Sequence, residues 1–225
     1  LRYGIDDIDV GNVGSNLDSR TYNITYYNTS PMKNDTKYID KIFGLGKINS
    51  DILTISDGNR LTAERTGHQV YGTLKIKDEY KKNNYTLIPS GQIDLGHTKL
   101  DGYSEIGTSA ISVDDQHITT QNLRAALALV DDLSTDKYIF KRHGKLEYLV
   151  DTDRSSSFEY NYVSDSSSIL NDTLKTGALH NLNFEIGIDI VFPERFSLFA
   201  IYERNQTFDN GYSGHTDNLY LAIGY

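Results

Sequence analysis

Hydrophobic residues fall at every second position in segment after segment of this chain, the period of a β-strand whose successive side chains point to opposite faces. The clearest run is Leu182, Phe184, Ile186, Ile188, Ile190 and Phe192, with Asn183, Glu185, Gly187 and Asp189 between. A strand buried in a soluble sandwich seldom carries two acids on its second face, although a solvated face tolerates them. The alternation recurs at Tyr22, Ile24 and Tyr26, at Val70, Gly72, Leu74 and Ile76, and at Tyr85, Leu87, Pro89, Gly91, Ile93 and Leu95. It returns at Leu123, Ala125, Leu127 and Leu129, a run that helix propensity also suits but whose register with its neighbours favours strand. The last stretch places Leu219, Leu221, Ile223 and Tyr225 between Asn218, Tyr220, Ala222 and Gly224.

This rhythm predicts strands near 1–10, 18–28, 36–48, 61–78, 84–100, 116–131, 137–152, 177–192, 195–206 and 216–225, with 155–164 extending the strand before it. Pro89 has no N–H to donate and requires a bulge or a missing ladder bond. Connection lengths then alternate from the end backwards. They are long at 207–215, short at Pro193-Glu194, long at 153–176, short at 132–136, long at 101–115, short at 81–83 and long at 49–60. A membrane barrel has tight turns on its periplasmic side and long loops outside, whereas a soluble sandwich has no reason for the alternation. The stretches 165-DSSSILNDT-173 and 206-QTFDNGYSGHT-216 read as polar loops at a barrel mouth.

Composition sharpens the picture. Tyr 17, Phe 8 and Gly 18 against Pro 3, Met 1 and Trp 0 is a strand-and-turn inventory. Only 38% of residues are hydrophobic and the mean hydropathy is -0.48, so no stretch approaches the roughly 20 apolar residues of a membrane helix. A barrel that alternates lipid-facing and lumen-facing residues has this same average. A formal charge of -9 disfavours nucleic acid as a partner. Cys 0 removes disulfides and thiolate chemistry. The start at Leu1, without an initiator methionine, reads as a fragment or processed product. Asn-X-Ser/Thr triplets at Asn23, Asn28, Asn34, Asn84, Asn171 and Asn205 read as chance in an Asn/Thr-rich bacterial chain.

The segments 37-KYIDKIFGLGKIN-49, Arg60, 87-LIPSGQIDLGHT-98, 103-YSEIG-107, 111-ISVDDQ-116, 122-NLRAALAL-129 and 219-LYLAIGY-225 resemble, in order and spacing, the autotransporter β-domain of type V secretion. The resemblance implies a twelve-stranded outer-membrane barrel with a helix in the lumen, of which residues 1–225 are about the last ten strands, the first strands and the helix being absent. It also implies a bacterial outer-membrane location, lipid and the barrel-assembly machinery as partners, and a passenger N-terminal to Leu1. The sequence departs from the family at Tyr225, where phenylalanine is commoner. Lys41 and Arg142 fall near lipid-facing positions, where a cation is costly away from an interface.

Lys75, Asp94, Arg124, Glu147, Glu185, Asp189 and Glu203 each lie between apolar neighbours and are expected to line the lumen, as a polar conduit or helix-docking wall or simply as solvating groups. Leu219, Leu221, Ile223 and Tyr225 are expected either to carry the assembly signal or to serve as plain girdle residues. The six histidines show no HxxxH or HExxH spacing and no GxSxG occurs, so neither metal, cofactor nor enzymatic activity is expected. The acid pairs Asp114-Asp115 and Asp131-Asp132 at strand ends read as solvated. The translocator reading stands beside two others, a simple porin or adhesin-type barrel acting through its loops and a soluble β-sandwich binding module.

Overall fold

A computed structural model describes residues 2–10, 14–33, 36–175, 177–192, 196–209 and 212–224, with the side chains of 2–10 and 212 left aside. Every element in it is a strand: β1 (Arg2–Val10), β2 (Ser15–Pro31), β3 (Lys37–Ser56), β4 (Asn59–Asp78), β5 (Tyr80–Lys82), β6 (Tyr85–Leu100), β7 (Tyr103–Ser104), β8 (Ile111–Val113), β9 (Gln116–Asp132), β10 (Ile139–Asp151), β11 (Ser155–Tyr162), β12 (Asp165–Lys175), β13 (His180–Phe192), β14 (Phe196–Asp209) and β15 (Tyr212–Gly224). The main sheet runs in sequence order, β1-β2-β3-β4-β6-β9-β10-β13-β14-β15, with β5 also on β6. Neighbouring strands are antiparallel, as the up-and-down reading expects.

Register gives the sheet two faces, because directly opposed residues point the same way. On one face Leu74 opposes Ile93, Ile93 opposes Leu123, and Leu127 opposes Leu146, which opposes Phe184. These side chains are exposed, Leu123 at 48% and Leu146 at 49%. No large side chain among the described residues is fully buried. An apolar face that broad, with nothing among the described residues covering it, fits hydrocarbon as its solvent rather than a sandwich core. This is the outer face; the inner face carries the polar half of each strand.

Several connections differ from the sequence expectation. Residues 49–60 do not form a long loop: β3 and β4 pair without interruption from Lys37 with Asp78 to Ser56 with Asn59. They turn on Asp57 (φ 50) and Gly58 (φ 76), the two left-handed residues of a tight hairpin. Residues 207–215 are likewise mostly strand, since β14 continues to Asp209 and β15 resumes at Tyr212. Within 101–115 and 153–176 the chain forms β7, β8, β11 and β12, which make a second sheet of order β12-β11-β8-β7. Residues 155–164 therefore do not prolong β10. The strand character of 155–164 was legible though its partner was not; the other segments gave no strand signal because they pair outside the membrane, where alternation is not enforced. The turn at Pro193-Glu194 lies outside the described residues.

Pro89 sits where its missing donor is harmless. β4 pairs with β6 only from Ser90 onward and β5 only from Tyr85 to Leu87, so Ile88 and Pro89 face the gap between them. Asp131, expected to be solvated, is instead only 4% exposed and takes hydrogen bonds from Asn84 and from both Nε (3.0 Å) and Nη2 of Arg142. That ion pair lies on the outer face opposite Tyr85, at the end with the short connections, where a cation is tolerated. Lys41 is also on the outer face, exposed, between Asn28 and Leu74. Four residues from the shorter-looped end of β3 at Lys37, its stem can lie along the apolar surface while the ammonium reaches the interface.

At the other end, β3, β4 and the second sheet build a small protein core. Leu61, Ala63, Ala110 and Val113 are buried there. Thr62 and Ile106 exchange backbone hydrogen bonds.

Candidate functional site

The inner face of β6, β9 and β10 carries a continuous polar network. Alternation along each strand puts Asp94, Arg124 and Glu147 on this face, and the antiparallel register brings them within reach across three neighbouring strands. Asp94 accepts hydrogen bonds from Thr73 Oγ1 (2.6 Å), Gln92 Nε2 (2.7 Å) and Arg124 Nε (2.7 Å). Arg124 Nη1 reaches Glu147 Oε1 at 3.3 Å, and Lys145 Nζ closes on Glu147 Oε2 at 2.7 Å. Charges alternate along this path, so each carboxylate has a cation and each cation a carboxylate. Glu147 is only 8% exposed and stays compensated through those two partners.

A second group lies on β13 and β14. Glu203 accepts from Asn183 Nδ2 (2.7 Å) and Asn205 Nδ2 (3.1 Å). Glu185 directly opposes Glu203, and His143 lies 3.8 Å from Glu185 and 3.9 Å from Asp189. The two groups meet where Glu147 opposes Asn183 and Lys145 opposes Glu185. Lys75 shares the inner face between Asp40 and Gln92, but makes no ion pair among the described residues.

All seven acids and bases singled out from the sequence thus occupy the inner face. The network uses further residues that reasoning residue by residue overlooked: Thr73, Gln92, His143, Lys145, Asn183 and Asn205. Lys145 was readable from spacing, two residues before Glu147 and so on the same face. The remainder depend on cross-strand register, which no local pattern states.

Further along the inner face, Tyr71 lies over Gly44, where an added Cβ would overlap the phenol ring, and its hydroxyl is 2.6 Å from Thr25 Oγ1. Ring and glycine lock β2, β3 and β4 together from inside. On the outer face of β15, Leu219, Leu221 and Ile223 are 67%, 64% and 74% exposed, the open apolar strip of an edge strand. Tyr225 lies outside the described residues.

The chain matches the family model described as "Autotransporter beta-domain" over residues 1–203. No curated protein sequence matches it. Among solved structures it is similar to the translocator domain of autotransporter NalP from Neisseria meningitidis, with a TM-score of 0.63 and 16% identity, over 94% of this chain and 68% of that one. It is also similar to the ferric yersiniabactin uptake receptor FyuA from Yersinia pestis, with a TM-score of 0.48 and 11% identity, over 93% of this chain and 40% of that one.

Proposed function

This chain belongs to the autotransporter β-domain family, the outer-membrane translocator of type V secretion, and on that premise we propose that its polar inner wall is the surface along which a passenger segment is held during export. The observation that carries the reading is the alternating path Asp94, Arg124, Glu147 and Lys145, set behind an outer face that only lipid suits. Mutual pairing keeps the wall charged yet nearly neutral, so a polypeptide slides past hydrogen-bonding groups without meeting a strong fixed field. The passenger in this reading is N-terminal to Leu1, and the domain acts without covalent chemistry. Leu219, Leu221 and Ile223, with Tyr225, supply the strip that the barrel-assembly machinery reads, since a last strand with alternating apolar side chains can add to another sheet by strand pairing before a barrel closes.

The test is surface display of a passenger fused ahead of the full chain, scored by protease accessibility on intact cells, with heat-modifiable migration in detergent as the measure of folding. Arg124→Glu places three acids together on the wall and should lower display several-fold while folded barrel persists. Unchanged display with folded protein would remove the inner wall from the translocation path.

A further inference from the structure

On the outer face, just beyond the apolar band, register lines up basic side chains from four strands. Lys47 of β3 directly opposes His68 of β4, His68 opposes Lys99 of β6, and Lys99 opposes His117 of β9. Directly opposed side chains sit about 5 Å apart, close enough for several N–H donors to converge on one anion. His97, one outward position along β6 from Lys99, stacks on His117 with ring centroids 5.3 Å apart. The last apolar outward residues before the group are Leu45, Val70 and Leu95, exposed at 53%, 39% and 57%. Lys47, His68 and His97 thus stand at the point where hydrocarbon-facing side chains stop.

The long connections lie at this end, so the group faces the outer leaflet. Protein acids take up only part of it: Asp115 and Asp101 hold Lys99 from the loop side, at 2.7 Å and 3.5 Å. Lys47 makes no ion pair among the described residues. In a chain of net charge -9 the clustering is not a by-product of overall basicity.

We propose that Lys47, His68 and His97 form a binding site for the anionic phosphomonoester of a lipid headgroup in the outer leaflet, a group that a zwitterionic phosphodiester lipid lacks. The ammonium of Lys47 supplies charge, the imidazole of His68 and the Nδ1 of His97, whose Nε2 lies 3.3 Å from His117 Nδ1, supply N–H donors, and Leu45, Val70 and Leu95 seat the acyl chain below. This extends the translocator reading by naming a lipid that the barrel holds at one place on its rim, and it rests on that reading's assignment of the outer end.

The full chain, folded in a zwitterionic detergent and checked by heat-modifiable migration, is titrated with lipid A, with phosphatidylcholine and with inorganic phosphate, and retained lipid is counted by native mass spectrometry. Lipid A is expected to stay bound where phosphatidylcholine does not. The K47Q/H68Q/H97Q variant should lose about fivefold or more in affinity, while Arg204→Gln, on the outer face of β14, should leave it unchanged. Equal retention by the triple variant, equal retention of the two lipids, or displacement by millimolar inorganic phosphate would overturn the proposal. Should the triple variant not fold, the ring signals of His68 and His97 in the unmodified protein decide it by NMR. They must move with lipid A and not with phosphatidylcholine, and no movement overturns the site. Loss of passenger display with intact lipid binding would fault the translocation wall and not this site.

Discussion

Glu147 shows how a single side chain is both legible and illegible in sequence. Its place on the inner face follows from parity alone, between Leu146 and Tyr148, which are exposed on the other side. Its depth of burial and its two cationic partners do not, because Arg124 is 23 residues away and reaches it only through strand pairing. Removing the carboxylate leaves Arg124 and Lys145 facing each other, so Glu147→Leu should destabilise the folded barrel by about 1–3 kcal/mol, and Glu147→Gln by less. Urea unfolding in detergent micelles, followed by loss of heat-modifiable migration, measures both. Gly44 is the complementary case, a residue kept small by a ring. Gly44→Ala drives a methyl into Tyr71 and should destabilise by about 1–3 kcal/mol, the usual penalty of overpacking. If the ring is the cause, the G44A/Y71A double variant will be more stable than the sum of the two single changes predicts.

Among elements, those spanning the membrane were readable and those beyond it were not. Inside hydrocarbon every outward position must be apolar, so period two is imposed on 182–192 and 123–129 and can be counted. Beyond the boundary both faces of the sheet meet water or protein, and Ile52, Leu53, Thr54 and Ile55 of β3 are all half-buried, so no alternation is enforced there and 49–60 passed for a loop. One signal did exist there: Asp57-Gly58 is a hairpin dipeptide, and it marks the turn to the residue. The second sheet is pinned to this hairpin through Glu105, whose carboxylate takes Thr54 Oγ1 at 2.9 Å and the Ile111 N–H at 3.1 Å. Glu105→Leu should therefore free 101–115 to limited proteolysis while the barrel keeps its heat-modifiable migration.

The base of the same loop is acid-sensitive. A hydrogen bond from Thr66, helped by Lys99, holds Asp101 below the usual carboxylate range, and Lys99 with the Gly102 N–H does the same for Asp115. Carboxylates depressed in the folded state contribute fully above the ordinary aspartate range, and the contribution fades as pH falls through and below it. Proteolysis by an acid-active protease at 101–115 should accordingly rise on acidification, and Thr66→Val should move that rise to higher pH.

For the molecule as a whole, the up-and-down order and the two-faced character of the sheet were both contained in the alternation. Connection lengths pointed to the same architecture for a partly mistaken reason: the excess length at one end is paired strand as well as loop. Hydrocarbon as solvent for the outer face makes a global prediction. Transferred from detergent to plain buffer, the chain should aggregate, and in phosphatidylcholine vesicles it should regain heat-modifiable migration; a folded monomer in plain buffer would contradict the membrane placement. Arg142→Gln tests the same property locally, since it strands the nearly buried carboxylate of Asp131 on the lipid side, and insertion into vesicles should slow markedly.

The unbroken pairing of β3 with β4, from Lys37 with Asp78 at the foot to Ser56 with Asn59 at the tip, has a mechanical corollary. A ladder without a bulge has no built-in hinge, so tension applied at Asp57 travels down to the membrane instead of being absorbed by a slack loop. Pulled from its tip, this mast loads both strands equally and should hold until they shear from β2 and β6, so whatever grips the cell surface there also tugs on the barrel wall.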